Sequence, residues 1–267
     1  GGGLGRTPVI GSVINEWLDR KHMLTYLEAI LRVYNLHGRR DNKFKARIKI
    51  LVKALGAEKY RELTEAEFAE LKDGPMTLTE EEVARIQGCF TEPAYRDDVD
   101  NGVLDKALQE NRAFNRWYHT NTRAHKRDGY RSVTLTLKKT GRIPGDVSDE
   151  QLEAIADLAD RYSFGELRST HHQNLVLADV EQTQLFALWQ KLKALGFATP
   201  TLGLLTDMIC CPGGDFCALA NAKSIPISQD IQKRFDDLDY LNDLGEIDLN
   251  ISGCMNACGH HHVGNIG

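Results

Sequence analysis

The stretch RSVTLTLK, from Arg131 to Lys138, decides the fold class because its side chains alternate between apolar and polar. Val133, Leu135 and Leu137 share one face, which is typical of a half-buried β-strand. A second apolar segment, NLVLADV from Asn174 to Val180, predicts another strand. Helical patterns follow both segments, so the two strands are expected in one unit.

The helix after the first strand begins with a capping-box pattern, Ser148 followed by Gln151. The helix after the second strand ends at Gly196. Their apolar positions recur every three or four residues: Leu152, Ile155, Ala159 and Tyr162 in one, and Leu185, Leu188, Trp189, Leu192 and Leu195 in the other. The order strand–helix–strand–helix predicts an α+β unit with the helices on one face of the sheet.

Two further helices are predicted nearer the start of the chain. One ends before Gly38 and the other before Gly56. Their apolar positions are Leu24, Leu27, Ile30, Leu31 and Tyr34 in the first helix, and Phe44, Ile48, Leu51, Val52 and Leu55 in the second.

The composition excludes several classes of protein. The chain has 267 residues, is 42% hydrophobic, and carries a formal net charge of −5 with its charges spread evenly. Neither nucleic acid nor a membrane is therefore an expected partner, and a cytoplasmic location is expected. Six cysteines are too few for a disulfide scaffold in a chain of this length. Because the sequence opens with GGGLGRTP and without methionine, we expect an internal piece of a longer protein.

Five of the six cysteines gather near the end of the chain. They are spaced as Cys211-x5-Cys217 and Cys254-x3-Cys258, with Cys210 as an extra neighbour. Glycine and proline between them would let the backbone bend around a metal centre. Zinc ligands are usually separated by about two to four residues, so the wider first gap disfavours a zinc ribbon. Spacing alone leaves open a metal or cluster site, or unrelated buried or reactive cysteines.

Three histidines follow the last cysteine, in the order His260, His261 and His262. Three adjacent side chains in regular structure do not all point at one ion. Solvated or packing histidines beside a loop are the favoured interpretation.

With CPGGDFCALANAKS and SGCMNACG, the chain resembles the sulfite and nitrite reductase haemoproteins, which couple a [4Fe–4S] cluster to sirohaem. The segments GGGLGRTP, LHGRRDNKFKARIKILV, GRIPGD and GELRSTHHQNLVL extend the resemblance over nearly the whole chain. Within that family the chain is most similar to the haemoprotein subunit of assimilatory sulfite reductases. The resemblance implies that Cys211, Cys217, Cys254 and Cys258 hold the cluster, and that Cys258 is also the axial thiolate of the sirohaem iron.

The resemblance also implies further cofactor contacts. Asn256 would pack against the bridge between cluster and sirohaem, and Gly1–Gly3 would let backbone approach the macrocycle. By contrast, Arg168, Gln173 and Asn174 match an arginine–glutamine motif for which a structural role is expected in this copy.

The segment 39–53 is strongly basic, and a solvated charged face is its ordinary explanation. A nucleic-acid stripe is disfavoured by the acidic balance of the chain. Sirohaem carries several carboxylates that need cationic partners, and the resemblance therefore makes four residues of one predicted helix candidate contacts: Arg40, Lys43, Arg47 and Lys49.

Together these interpretations predict an α+β fold in several pieces. Residues 1–88 would be part of a first sirohaem-binding domain, 89–127 a linker with short helices, 128–200 a ferredoxin-like domain, and 201–267 the opening of a second sirohaem/[4Fe–4S]-binding domain. The implied function is six-electron reduction of sulfite to sulfide, with nitrite reduction to ammonia as the alternative. A flavoprotein subunit or a ferredoxin would donate electrons, and the catalytic residues are expected outside this chain. A zinc-binding or thiol redox-sensing module without catalysis is the alternative from another class.

Overall fold

A computed structural model of the chain describes residues 2–5, 7–99 and 102–267. It divides into two compact units, one ending at Glu92 and the other beginning at Pro93. We call them the N-terminal and the C-terminal unit. Gly1, the first residue of the predicted glycine contact, lies outside the described residues.

The N-terminal unit contains four α-helices among its described residues. Its helices are α1 (Met23–His37), α2 (Ile48–Leu55), α3 (Ala57–Leu71) and α4 (Glu80–Gln87). The core lies between the first three helices, where Val33, Leu51 and Tyr60 are buried. This core is small, because most of its other apolar neighbours are only partly buried.

Helix α1 forms where the periodicity predicts it, but it buries a different face. Leu27 and Leu31 are 49% and 53% exposed, whereas Tyr26, Ala29 and Val33 are buried. The reason is a polar contact at the inner face, where the Tyr26 hydroxyl donates to Glu65 Oε1 at 2.7 Å. A pattern of apolar residues does not predict the burial of a tyrosine whose hydroxyl forms a hydrogen bond within the protein.

Helix α2 begins four residues later than predicted. Phe44 was expected on its core face, yet it is 81% exposed and precedes the helix. The Asn42 side chain accepts the Phe44 N–H at 3.0 Å, and the Asn42 carbonyl accepts the Lys45 N–H at 2.9 Å. These bonds close a turn that competes with helix. Arg40, Lys43 and Arg47, which were expected along one flank of this helix, therefore precede it.

The C-terminal unit is built on an antiparallel sheet in the order β1-β2-β4-β3. Its strands are β1 (Thr122–Ala124), β2 (Tyr130–Leu135), β3 (Leu167–Ser169) and β4 (Leu175–Glu181). The two predicted strands pair with each other at the centre, with Val133 opposite Leu177. The alternation in RSVTLTLK therefore identified a central strand.

Four helices accompany this sheet: α5 (Gly102–Glu110), α6 (Arg112–Asn121), α7 (Asp149–Tyr162) and α8 (Leu185–Leu195). The capping box at Ser148 is present, and α8 ends at Gly196 with φ 83°. Helices α5 and α6 lie in the segment 89–127, which was predicted to be a linker with short helices. Phe114 and Trp117 of that segment are fully buried in the core of the C-terminal unit. The structure thus joins much of that segment to the unit, because α6 carries two large aromatic residues among its charged ones.

The rest of the C-terminal unit contains β5 (Ile209–Cys210), α9 (Ser224–Arg234), α10 (Leu238–Leu244) and β6 (Asn250–Ile251). Strands β5 and β6 pair in parallel. A second apolar cluster, with Met208 and Leu241 at its most buried positions, lies beside them. Among the described residues, no helix is both long and apolar enough to cross a membrane.

Candidate functional site

The short parallel pair β5–β6 brings the two groups of cysteines together. Cys210 lies opposite Ile251 in the register, and the Cys211 N–H donates to the Ile251 carbonyl at 3.0 Å. Parallel strands run in the same direction, so the residues that follow each strand emerge at the same edge. We call residues 211–223 the first cysteine loop and residues 252–259 the second cysteine loop.

The two cysteine loops touch through their backbones. The N–H groups of Asn221 and Ala222 both donate to the Gly253 carbonyl, at 2.8 and 3.0 Å. In return the Gly253 N–H donates to Cys211 Sγ at 3.1 Å. A Cβ atom added to Gly253 would lie 2.8 Å from the Gly213 Cα, a distance that real Cβ atoms do not reach. Glycine at both positions is therefore required for the loops to meet.

The four predicted ligands differ in exposure. Cys211 is buried, Cys217 and Cys254 are half-buried, and Cys258 is exposed; all are free thiols. Asn256 and His260 are also exposed, and the rings of His261 and His262 lie 4.0 Å apart. Within residues 2–5, 7–99 and 102–267, no three Cys, His, Asp or Glu side chains are grouped as a site for a metal ion. The fit to a cluster rests on the thiol donor set and on the contact between the loops.

The neighbouring cysteines Cys210 and Cys211 have different surroundings. The Cys210 thiol donates to the Cys211 carbonyl at 3.3 Å, and burial raises the pKa of this thiol. Cys211 Sγ instead accepts the bond from Gly253 and lies 3.8 Å from Ser224 Oγ. Cluster ligands are thiolates. The sulfur that contacts the second cysteine loop is that of Cys211, and its role as a ligand stays a prediction.

Gln173 and Asn174 connect the ferredoxin-like sheet to the start of the first cysteine loop. Gln173 Nε2 donates to the Cys210 carbonyl and Gln173 Oε1 accepts the Cys210 N–H, each at 2.9 Å. Asn174 Nδ2 donates to Asp207 Oδ1 at 2.9 Å. Both therefore have structural contacts, whereas Arg168 is exposed and pairs with Glu166.

Sequence reasoning missed a buried ion pair behind this connection. Lys138 Nζ donates to Asp207 Oδ1 at 2.8 Å, and the two side chains are 0% and 5% exposed. Burial lowers the pKa of Lys138, while the neighbouring Asp207 opposes that shift. The same ammonium donates to the His172 carbonyl at 2.6 Å, so it ties the turn between β3 and β4 to the chain that leads into β5. The sequence shows Lys138 as the polar end of a strand, and no local pattern indicates its partner.

The candidate cofactor contacts of the basic segment lie in the N-terminal unit. Arg40, Lys43 and Arg47 are exposed, and their charges suit carboxylates. Lys49 Nζ instead donates to the Leu4 and Thr7 carbonyls, both at 3.0 Å. Arg40 and Arg47 also donate to backbone carbonyls, of Asn35 and of Ala46, but at exposed positions. Lys49 is half-buried against the glycine-rich loop, residues 2–5 and 7–11, so the three exposed cations are more accessible to an acidic macrocycle.

The glycine-rich loop is closed by backbone contacts. Gly3 and Val9 exchange two hydrogen bonds, at 2.9 and 3.0 Å. A Cβ atom on Gly2 would lie 2.4 Å from the Val9 carbonyl oxygen. Glycine at position 2 is therefore required by the loop itself.

Comparison with known proteins places both units in one family. Residues 1–72 match the nitrite and sulphite reductase 4Fe-4S domain, and residues 124–195 match the nitrite/sulfite reductase ferredoxin-like half domain. All six cysteines lie outside these two matched segments.

Whole-chain relatives agree with the two family matches. The chain is 28% identical over 273 residues to "Sulfite reductase [ferredoxin] 2" of Mycolicibacterium paratuberculosis, covering 100% of this chain and 42% of that protein. It is 26% identical over 263 residues to the chloroplastic ferredoxin–nitrite reductase of Arabidopsis thaliana, covering 95% of this chain and 38% of that protein. The solved structure of Mycobacterium tuberculosis NirA matches with a TM-score of 0.66 and 26% identity, covering 97% of this chain and 41% of that one.

The chain belongs to the nitrite and sulfite reductase family. It spans about two fifths of the length of the curated relatives that it matches. The α+β fold class is confirmed, and so are the [4Fe–4S] cluster and sirohaem as the cofactors of the family.

Proposed function

We propose that this chain is part of a reductase that converts sulfite to sulfide with a sirohaem coupled to a [4Fe–4S] cluster. The observation that carries the proposal is the meeting of two cysteine loops at the ends of β5 and β6, in a chain of this family. By analogy with the names of its relatives, a ferredoxin donates the electrons; a flavoprotein subunit is the other candidate. The location that suits such a donor is the cytoplasm.

Each cysteine has a role in this proposal. Cys211, Cys217, Cys254 and Cys258 would bind the cluster, and Cys258 would also hold the sirohaem iron. Residues 201–267 then open the second cofactor-binding domain. Cys258 suits a shared sulfur, because it is the most exposed of the four and so can be reached from outside the loops.

Other residues of the chain would act on the cofactors through charge and hydrogen bonding. The Gly253 N–H bond to Cys211 Sγ stabilises the negative charge of a thiolate and so raises the reduction potential of a cluster bound there. Arg40, Lys43 and Arg47 would neutralise sirohaem carboxylates, and Asn256 would lie beside the shared sulfur. When bound, the coupled cofactors supply single electrons and an iron at which the oxyanion is reduced.

Nitrite reduction to ammonia is the second candidate, since nitrite reductases are also among the relatives. Both reactions take six electrons, and the groups that bind the oxyanion are expected outside this chain. The full-length protein should therefore be assayed with each substrate, and the larger kcat/KM identifies the physiological one.

The decisive experiment is anaerobic purification of the full-length protein, followed by assays of iron, acid-labile sulfide and zinc and by a visible spectrum. A chlorin-like chromophore with a [4Fe–4S] complement supports the reductase. Zinc without colour supports the alternative of a structural or redox-sensing module and contradicts the reductase.

A pair of cysteine variants tests the ligand assignment. Cys258→Ser should abolish the coupled sirohaem signal, because it removes the shared sulfur. Cys210→Ser should leave iron content and spectrum close to wild type, since the Cys210 thiol faces the Cys211 carbonyl instead of the second loop. Equal losses in the two variants would contradict the assignment.

A further inference from the structure

Strand β5 is only two residues long, and both of its edges are occupied. On one edge it pairs with β6, where Cys210 lies opposite Ile251. On the other edge the Gln173 carboxamide donates to the Cys210 carbonyl and accepts the Cys210 N–H, both at 2.9 Å. A side-chain amide thus makes the pair of bonds that a neighbouring strand would make.

Gln173 is itself held firmly in place. Its backbone has φ 56°, in the left-handed region, and its N–H donates to the Thr170 carbonyl at 3.2 Å. Gly145 approaches so closely that a Cβ atom there would lie 2.8 Å from the Gln173 Cβ. A residue that adopts this uncommon backbone in a tight turn is fixed by its surroundings. The amide is therefore presented to Cys210 in one orientation.

The register of β5 determines which of two adjacent sulfurs meets the second cysteine loop. Successive side chains of a strand point to opposite faces, so a slip by one residue would exchange Cys210 and Cys211. The β5–β6 pair contains two register positions, too few to fix the register strongly by themselves. The two Gln173 bonds hold the Cys210 backbone in this register, and both must break before the strand can slip.

We propose that Gln173 is a positioning residue that makes Cys211, and not Cys210, the first cluster ligand. The inference rests on the proposed function, because it assumes that the first cysteine loop binds a cluster. It goes beyond that function by assigning ligand choice to the ferredoxin-like part of the chain.

The first readout requires no cofactor. In the apo form of the full-length protein, Gln173→Ala should accelerate hydrogen exchange of the Cys210 amide, followed in a peptide spanning residues 208–212, by about tenfold, because both bonds to Cys210 are lost and its N–H loses its acceptor. Gln229→Ala is the matched control, since Gln229 donates a single long bond, 3.3 Å, to the Gly141 carbonyl. The control should leave exchange in that peptide unchanged.

The second readout is the electron paramagnetic resonance spectrum of the reduced cluster in the loaded protein. Gln173→Ala should give two overlapping signals, from clusters held by Cys211 and by Cys210. Adding Cys210→Ser should restore one wild-type signal, and Cys210→Ser alone should not change it. If Gln173→Ala only weakened the fold around the first cysteine loop, it would lower the cluster content. It would not create a second signal that Cys210→Ser removes.

Two results would overturn the proposal. One is a wild-type spectrum in Gln173→Ala, whatever its exchange rate; the other is a second signal that persists in Gln173→Ala/Cys210→Ser. The iron and sulfide content of the wild-type protein is measured first. A wild-type protein without a cluster refutes the proposed function, whereas a loaded wild type with an unaffected Gln173→Ala variant refutes this inference alone.

Discussion

The two units of the chain bury their apolar residues to very different extents. In the C-terminal unit, helices on the sheet enclose a continuous core in which Phe114, Trp117, Leu177 and Leu188 are fully buried. In the described part of the N-terminal unit, the core cluster buries Val33, Leu51 and Tyr60, Tyr26 and Ala29 are also buried, and one side of α1 remains exposed at Leu27 and Leu31.

This difference in burial indicates where truncation of a single side chain should lower the stability of the protein. A residue surrounded on all sides leaves a cavity when it is truncated, whereas an exposed residue of the same type leaves none. The chain offers matched pairs of phenylalanines and lysines, one member in each unit, with which this contrast can be tested.

The phenylalanine pair should show the largest effect. Phe114→Ala is expected to lower the free energy of unfolding of the C-terminal unit by about 3 to 5 kcal/mol, because the ring is completely buried. Phe44→Ala should change stability by less than about 0.5 kcal/mol, because that ring is 81% exposed. Urea unfolding followed by circular dichroism measures both. A large loss in Phe44→Ala would mean that α2 begins earlier and uses this ring.

The lysine pair should show the next largest effect. Lys138→Ala leaves the Asp207 carboxylate buried without its cation, and should lower the free energy of unfolding by about 3 to 4 kcal/mol. Lys49→Ala removes hydrogen bonds from a half-exposed ammonium to the Leu4 and Thr7 carbonyls, and should cost about 1 kcal/mol.

The same unfolding measurement compares the two lysine variants, and Lys138→Ala/Asp207→Leu supplies the control. The double variant should recover part of the loss, because no buried charge remains. Equal losses of unfolding free energy in the two single variants would show that the buried Lys138–Asp207 pair is no more important for stability than the contacts of Lys49.

The smallest expected effect is a pH dependence in the N-terminal unit. Burial, aided by the hydrogen bond to Glu65, raises the pKa of Tyr26 to about 12 from 10.0. Because the pKa is higher in the folded state, the stability contributed by the phenol is complete below pH 10 and is lost as pH rises through about 12.

Titration of tyrosinate absorbance should therefore lose its step near pH 12 in Tyr26→Phe. Glu65→Gln should move that step to lower pH without abolishing it, since burial is the first cause of the shift. A step near pH 12 that survives in Tyr26→Phe would assign it to another residue. Stability at pH 7 should fall by about 1 kcal/mol in Tyr26→Phe, as for one lost hydrogen bond.

Regular patterns predicted the central part of the fold. The alternation around Val133, the capping box at Ser148 and the glycine after α8 each report a local preference, and the structure contains all three features. Four of the cysteines lie in the two loops that meet at Gly253, and their role as ligands stays a prediction.

Features that depend on distant partners could not be predicted in this way. Lys138 and Asp207 are 69 residues apart, and Gln173 and Cys210 are 37 residues apart, so no window of sequence contains either pair. Phe44 was misplaced because one asparagine side chain closed a turn ahead of the helix. Tyr26 was overlooked because its partner lies on another helix.

The contact between Gly253 and Cys211 also has a consequence for the order of folding. It joins residues 42 positions apart, and closing a loop of that length costs about 3 kcal/mol of chain entropy. The hydrogen bonds that join the two strands and the two cysteine loops contribute about 1 kcal/mol each, which is of the same size as that cost, so packing of the intervening α9 and α10 is needed for a net gain. We therefore expect the loops to meet late in folding, after the core of the C-terminal unit has formed.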